Sequence, residues 1–164
     1  MAKGGVGKGC KVCCIIILVV FLLIVGASAF VALYVPKADK LADKLASSDI
    51  TVLLYEEGRT DYSTSVNSLI SFINENFETE YTIQEVVEFR STALEKGDEE
   101  YVEGYVFYLS SIKSAFGLFK DYAKYISEKS SEEAESLEYH FSPRGKALFI
   151  GNMAGEVAFR KIVF

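Results

Sequence analysis

The sequence predicts a mainly α protein, with one N-terminal transmembrane helix followed by a small helical-bundle outer domain that has room for one short strand pair. Three observations predict it. Residues 13–35, from Cys13 to Val35, form an uncharged apolar run of 23 residues; a helix rising about 1.5 Å per residue over that length covers a hydrocarbon core roughly 30 Å thick. Tyr105, Leu109, Ile112, Phe116, Phe119, Ala123 and Ile126 recur at alternating spacings of four and three, a helical seam. No cysteine follows Cys14, so the outer domain has no internal disulfide and must stand on its apolar core.

These features divide the chain into a basic tail (1–12), a span (13–35), a stalk (36–49) and an outer domain (50–164). Lys3, Lys8 and Lys11 precede the apolar run with no acid among them, which favours a cytoplasmic N-terminus and an extracytoplasmic C-terminal domain in a single-pass membrane protein. The competing reading is a cleaved signal peptide ending at Ala27-Ser28-Ala29. The run continues through Phe30, Val31, Ala32, Leu33, Tyr34 and Val35, which a span needs and a signal peptide does not, so a retained signal anchor is preferred.

The tail contains Lys3-Gly4-Gly5-Val6-Gly7-Lys8, which resembles the start of the phosphate loop of ParA-type and MinD-type ATPases. Gly9 stands where that loop requires a magnesium-binding hydroxyl, and an apolar helix follows, so no nucleotide is expected. Cys10, Cys13 and Cys14 sit at the inner mouth of the span and are candidate lipidation sites; the alternative is small apolar residues opening a helix. Three thiolates without a fourth ligand argue against zinc.

Pro36 ends or kinks the span, and Leu41, Ala42 and Leu45 then share one side of a short stalk helix. Ile50 to Tyr55, ITVLLY, reads first as a strand and second as buried helix. From Asp61, Tyr62, Val66, Leu69, Ile70, Ile73 and Phe77 mark a helix face. Thr82 with Glu85 forms a capping box for a further helix running to Gly97, with Ile83, Val86, Val87, Arg90 and Leu94 inward. Asp98 then caps the longest helix, the one carrying the seam.

Ser142-Pro143 starts the final helix, in which Ala147, Gly151, Gly155 and Ala158 form a small-residue stripe and a candidate helix-packing interface. Ile162, Val163 and Phe164 are apolar and suit either pairing with Ile50 to Tyr55 or docking on a neighbouring subunit.

Chemistry-bearing residues are sparse. His140 is the single histidine, and the carboxylates, such as Glu99-Glu100-Glu103 and Glu132-Glu133-Glu135, are spaced as solvated helix faces. No catalytic, cofactor-binding or metal-binding residue is assigned, and no enzyme activity is expected. From Pro36 onward 14 Lys and Arg face 23 Asp and Glu, a charge of −9 that repels nucleic acid. The expected partners are the lipid bilayer and either another protein or a second copy of the chain.

The preferred function is a non-catalytic, membrane-anchored assembly subunit. A basic leader, a long apolar helix and a small outer domain also resemble type IV pilins, which implies a filament subunit; Lys11 at the head of the apolar helix and the missing glutamate depart from that pattern. The third reading is a sensor whose outer domain binds a small ligand.

Overall fold

The computed structural model describes residues 17–23, 25–26, 33–59, 61–77, 79–129 and 139–163. The chain divides into two units, Met1–Leu33 and Tyr34–Phe164. In the first, residues 17–23 and 25–26 are helical and their large apolar side chains are exposed. Among the described residues no helix is long and apolar enough to cross a membrane. The described residues therefore do not support the expected single-pass span, signal anchor and membrane localisation, since an apolar segment crosses a bilayer only as a sufficiently long helix. Residues 13–16, 24 and 27–32 of the expected span, the glycine-rich tail, Cys10, Cys13 and Cys14 lie outside the described residues.

The second unit corrects the helical-bundle expectation. Its elements run α1 (Ala38–Leu45), β1 (Ile50–Tyr55), α2 (Thr64–Asn76), β2 (Ile83–Ser91), β3 (Glu103–Leu109), α3 (Ile112–Ser127), β4 (His140–Arg144), β5 (Ala147–Gly151) and α4 (Met153–Val163). The five strands form one antiparallel-paired sheet in the order β1-β2-β3-β5-β4. The chain leaves central β3 through α3, reaches the far edge as β4, and turns back as β5 into the gap. Gly145, at φ 54°, opens the two-residue turn of that hairpin, a backbone position that suits glycine.

Helices cover both faces. Val66, Leu69 and Ile73 of α2 and Ala115 and Leu118 of α3 pack on Tyr55, Val86, Tyr105, Phe107, Leu148 and Ile150. Ala38, Leu41 and Leu45 of α1 and Phe159 and Val163 of α4 pack on Val87, Phe89, Val106, Tyr108 and Phe149. Six consecutive residues of β3, Gly104 to Leu109, are therefore buried. A strand buried on both faces loses the alternation of apolar and polar residues that would identify it.

This is why the segments 82–97 and 98–126 read as helices. Val86 and Val87 are adjacent in sequence but enter opposite cores. Of the expected seam, Tyr105 and Leu109 belong to β3, and only Ile112 onward is helical. Ser142 and Pro143 lie in β4 rather than opening a helix, and Ile162 and Val163 end α4 instead of pairing with β1. The strand at Ile50 to Tyr55 and the helix bearing Val66, Leu69 and Ile73 stand as expected.

Local caps set the helix ends. The Ser63 hydroxyl accepts from the Val66 amide at 3.2 Å at the start of α2, and Ser111 accepts from Ser114 at 3.1 Å at the start of α3. Asn152 ties α4 to β3: its Oδ1 accepts from the Gly155 amide at 2.8 Å and the Glu103 amide at 3.2 Å, while its Nδ2 donates to the Tyr101 carbonyl at 2.6 Å. Tyr108 donates to the Pro36 carbonyl at 2.8 Å, and Arg144 donates to the carbonyls of Tyr34 at 3.1 Å and Val163 at 3.0 Å, joining the two ends of the unit.

The approach of β5 to β3 depends on missing side chains. A Cβ on Gly151 would lie 2.4 Å from the Glu103 carbonyl oxygen and 2.7 Å from the Gly104 Cα, and neither backbone atom can yield without breaking the ladder. Gly151→Ala is therefore expected to cost about 3 kcal/mol, the upper range for overpacking a core. Urea unfolding measures it, and an unchanged midpoint would contradict the close approach.

Candidate functional site

A cleft of about 400 Å³ opens on the α2/α3 side of the sheet. One wall is the start of α2, which contributes Thr64, Ser65, Ser68, Leu69 and Phe72; the other is Tyr122 from α3 with Tyr139 and Phe141 at the entry to β4. The hydroxyl wall follows from helical geometry, since positions 64, 65 and 68 project along one side of the first turn and a half. The aromatic wall follows from the crossover, which carries the chain from α3 to the edge strand and brings Phe141 under Tyr122. Those two rings stack with centroids 3.5 Å apart and planes at 14°. The Tyr122 hydroxyl donates to the Tyr139 carbonyl at 3.0 Å, which holds the pair in register.

A polar layer lies beneath the start of α2. Tyr105 is fully buried, and its hydroxyl donates to Glu103 Oε1 at 2.7 Å. Tyr55 donates to Glu88 Oε2 at 3.0 Å, and Glu88 is only 4% exposed. The Tyr105 and Tyr139 rings meet edge to face at 6.3 Å, and the Lys96 ammonium sits 5.9 Å above the Tyr139 ring. Among the described residues no buried side-chain polar atom lacks a hydrogen-bond partner.

The phenols hold their protons. Burial pushes Tyr105 far above the usual tyrosine range, and its bond to Glu103 adds to this while Ser65 opposes it. Burial likewise raises Tyr55 and Tyr122. A carboxylate accepting from a phenol stabilises the neutral phenol, and a desolvated tyrosinate is costly. At neutral pH these groups donate hydrogen bonds and do not act as bases.

Nothing lining the cleft is an activated nucleophile. Ser68 donates its proton to the Thr64 carbonyl at 2.9 Å, and among the described residues no carboxylate that could serve a hydroxyl as base belongs to the lining. His140, exposed at the start of β4, is not part of the lining. Among the described residues no group of three or more His, Cys, Asp or Glu is arranged to hold a metal ion. What the walls can do is grip: one offers hydroxyl oxygens, the other flat apolar rings.

The residues singled out from sequence fall elsewhere. Ala147 and Gly151 are buried in β5, whereas Gly155 and Ala158 belong to α4, so the small-residue stripe is not one helix face. Gly151 and Gly155 instead flank the Glu103 carbonyl. The sequence carried one overlooked signal for the cleft, the hydroxyl-rich run Ser63-Thr64-Ser65 with Ser68 at the head of a recognised helix. Comparison of the chain with family models, with curated proteins and with solved structures finds no match.

The raised tyrosines couple stability to alkaline pH. Tyr55, Tyr105 and Tyr122 all stand above the unfolded value of 10.0, and Tyr81, which donates to Asp121 at 2.5 Å, is pushed up to about 12. The fold holds the neutral phenols, so their contribution is whole below pH 10 and is lost as pH rises through 10 to 12 and beyond. Unfolding free energy should stay level up to pH 10 and fall above it, with tyrosinate absorbance developing alongside. Tyr105→Phe should lower stability at neutral pH by about 1 kcal/mol, the usual net worth of a buried hydrogen bond, and make the alkaline fall shallower.

Proposed function

We propose that the second unit is a non-catalytic binding domain whose cleft takes a small, flat, largely apolar molecule carrying hydrogen-bonding groups along one edge. The observation that carries this reading is the opposition of the two walls. A ring entering the cleft meets the Tyr122, Tyr139 and Phe141 rings on one side and the Thr64, Ser65 and Ser68 oxygens, with Phe72 beyond them, on the other. Small-molecule sites have this composition, mostly apolar with a few convergent polar groups, and occupy roughly 300–1,000 Å³.

Retention rather than turnover is supported by the state of the polar groups. The tyrosines are neutral donors, and Ser68 is hydrogen-bonded to the Thr64 carbonyl instead of a base. The Tyr122–Phe141 stack and its anchor to the Tyr139 carbonyl make the aromatic wall rigid, which lowers the entropic cost of holding a ligand.

Ligand-observed NMR against a panel of phenols, aromatic acids and aromatic amides tests the proposal. Binding is expected from members that combine one or two rings with an edge donor or acceptor. Ser68→Phe, at an exposed helix position, fills the cleft without touching the core and should abolish saturation transfer while the thermal midpoint stays within about 2 °C, since surface substitutions of this kind seldom exceed 0.5 kcal/mol. A panel that yields no binder, or binding that survives Ser68→Phe, would sink the reading.

A further inference from the structure

The two edges of the sheet are built differently. At the β4 edge Pro143 has no amide hydrogen to offer, and this is a common way to stop an edge from recruiting another strand. At the other edge β1 has the sequence ITVLLY, with no proline and no charge within the strand. Its backbone can be accounted for group by group. The Thr92 amide donates to the Asp49 carbonyl at 2.9 Å, so with Asp49 opposite Thr92 the residues Thr51, Leu53 and Tyr55 direct their polar groups to β2. Ile50, Val52 and Leu54 direct theirs away from the sheet.

Neighbouring turns close both ends of that outward row. The Ile50 carbonyl accepts from the Ser47 amide at 3.4 Å, and the Glu56 carbonyl accepts from the Arg59 amide at 3.2 Å. Between them, the amides and carbonyls of Val52 and Leu54 have no protein partner among the described residues. Leu53, midway between the two, is 43% exposed.

We propose that this edge pairs with the same edge of a second copy of the chain, antiparallel about a two-fold axis at Leu53. The open set is its own complement. Val52 of each copy faces Leu54 of the other, each facing pair exchanges two hydrogen bonds, and the two Leu53 side chains meet on the axis in a non-hydrogen-bonded pair, where side chains come closest. Centring the axis on Val52 or Leu54 would pair one of them with Ile50 or Glu56, whose carbonyls are already engaged. The register with Leu53 on the axis alone pairs both amides and both carbonyls of Val52 and Leu54, and it joins two five-stranded sheets into one of ten. This surface is independent of the cleft.

The test is the mass of the full chain in solution by light scattering. The expected value is twice the 18.2 kDa chain mass. Leu53→Lys puts two ammonium groups on the axis, and Val52→Pro removes an outward amide without touching the ladder to β2. Each should weaken the dimer by roughly tenfold or more. Leu94→Lys, at a leucine 39% exposed outside the sheet, should leave it intact. Leu53→Cys, with Cys10, Cys13 and Cys14 replaced by Ser, supplies a readout independent of any folding defect: oxidation should link position 53 to position 53 of the second copy, identified by peptide mass. A chain that stays at 18.2 kDa across concentration, or an oligomer that survives both Leu53→Lys and Val52→Pro and gives no such link, overturns the proposal.

Discussion

Burial of β3 on both faces is the constraint from which the rest of the second unit follows. Tyr105, Phe107 and Leu109 belong to one core, and Val106 and Tyr108 to the other. A strand with apolar residues at successive positions is unstable until something covers each side of it, and four helices in two pairs do so. With no cysteine after Cys14, hydrophobic burial and packing carry that stability. The close passage of Gly151 and Gly155 against Glu103 belongs to the same requirement: β5 and the start of α4 must come near enough to seal the strand's second edge.

The two helix pairs differ in what lies between them and the sheet. On the α1/α4 side the core cluster is apolar, with the rings of Phe149 and Phe159 stacked 5.5 Å apart, and the hydrogen bonds of Asn152, Tyr108 and Arg144 fasten its ends. On the other side a polar layer intervenes under the first turn of α2, where Tyr55 and Tyr105 donate to Glu88 and Glu103. The buried Glu88 carboxylate is tolerated there because the Tyr55 phenol is directed at it. The same layer keeps the Ser63-Thr64-Ser65 turn from packing down as apolar residues would, and the cleft lies beside it. The candidate binding site is thus a by-product of how the second face is closed.

Edges, too, follow from topology. The crossover from β3 through α3 sends β4 to one margin with a proline in it, and the order of the sheet leaves β1 at the other without one. The turns at Ser47–Ile50 and Glu56–Arg59 engage the terminal carbonyls and leave Val52 and Leu54 as the residues with both amide and carbonyl open. A short edge of that kind limits non-specific pairing while leaving room for a defined one.

Where an element buries one face, its residues announced it. Leu41 and Leu45 of α1 and Val66, Leu69 and Ile73 of α2 were legible because a solvent-facing side preserves the period, and ITVLLY because it is a compact β-prone run bounded by Asp49 and Glu56-Glu57-Gly58. Also determined by sequence alone were the acidic charge and the absence of cysteine beyond Cys14. The sheet was decided only in three dimensions. The valines at 86 and 87 and the run from Tyr105 to Leu109 carry no periodic mark of strand or helix, since both of their faces are dry. The cleft was equally hidden: its hydroxyls lie near residue 65 and its rings near residue 140, and the crossover through α3 unites them. Local periodicity records how many sides of a segment meet water. It does not record which distant segment supplies the cover, and that pairing made both the central strand and the site.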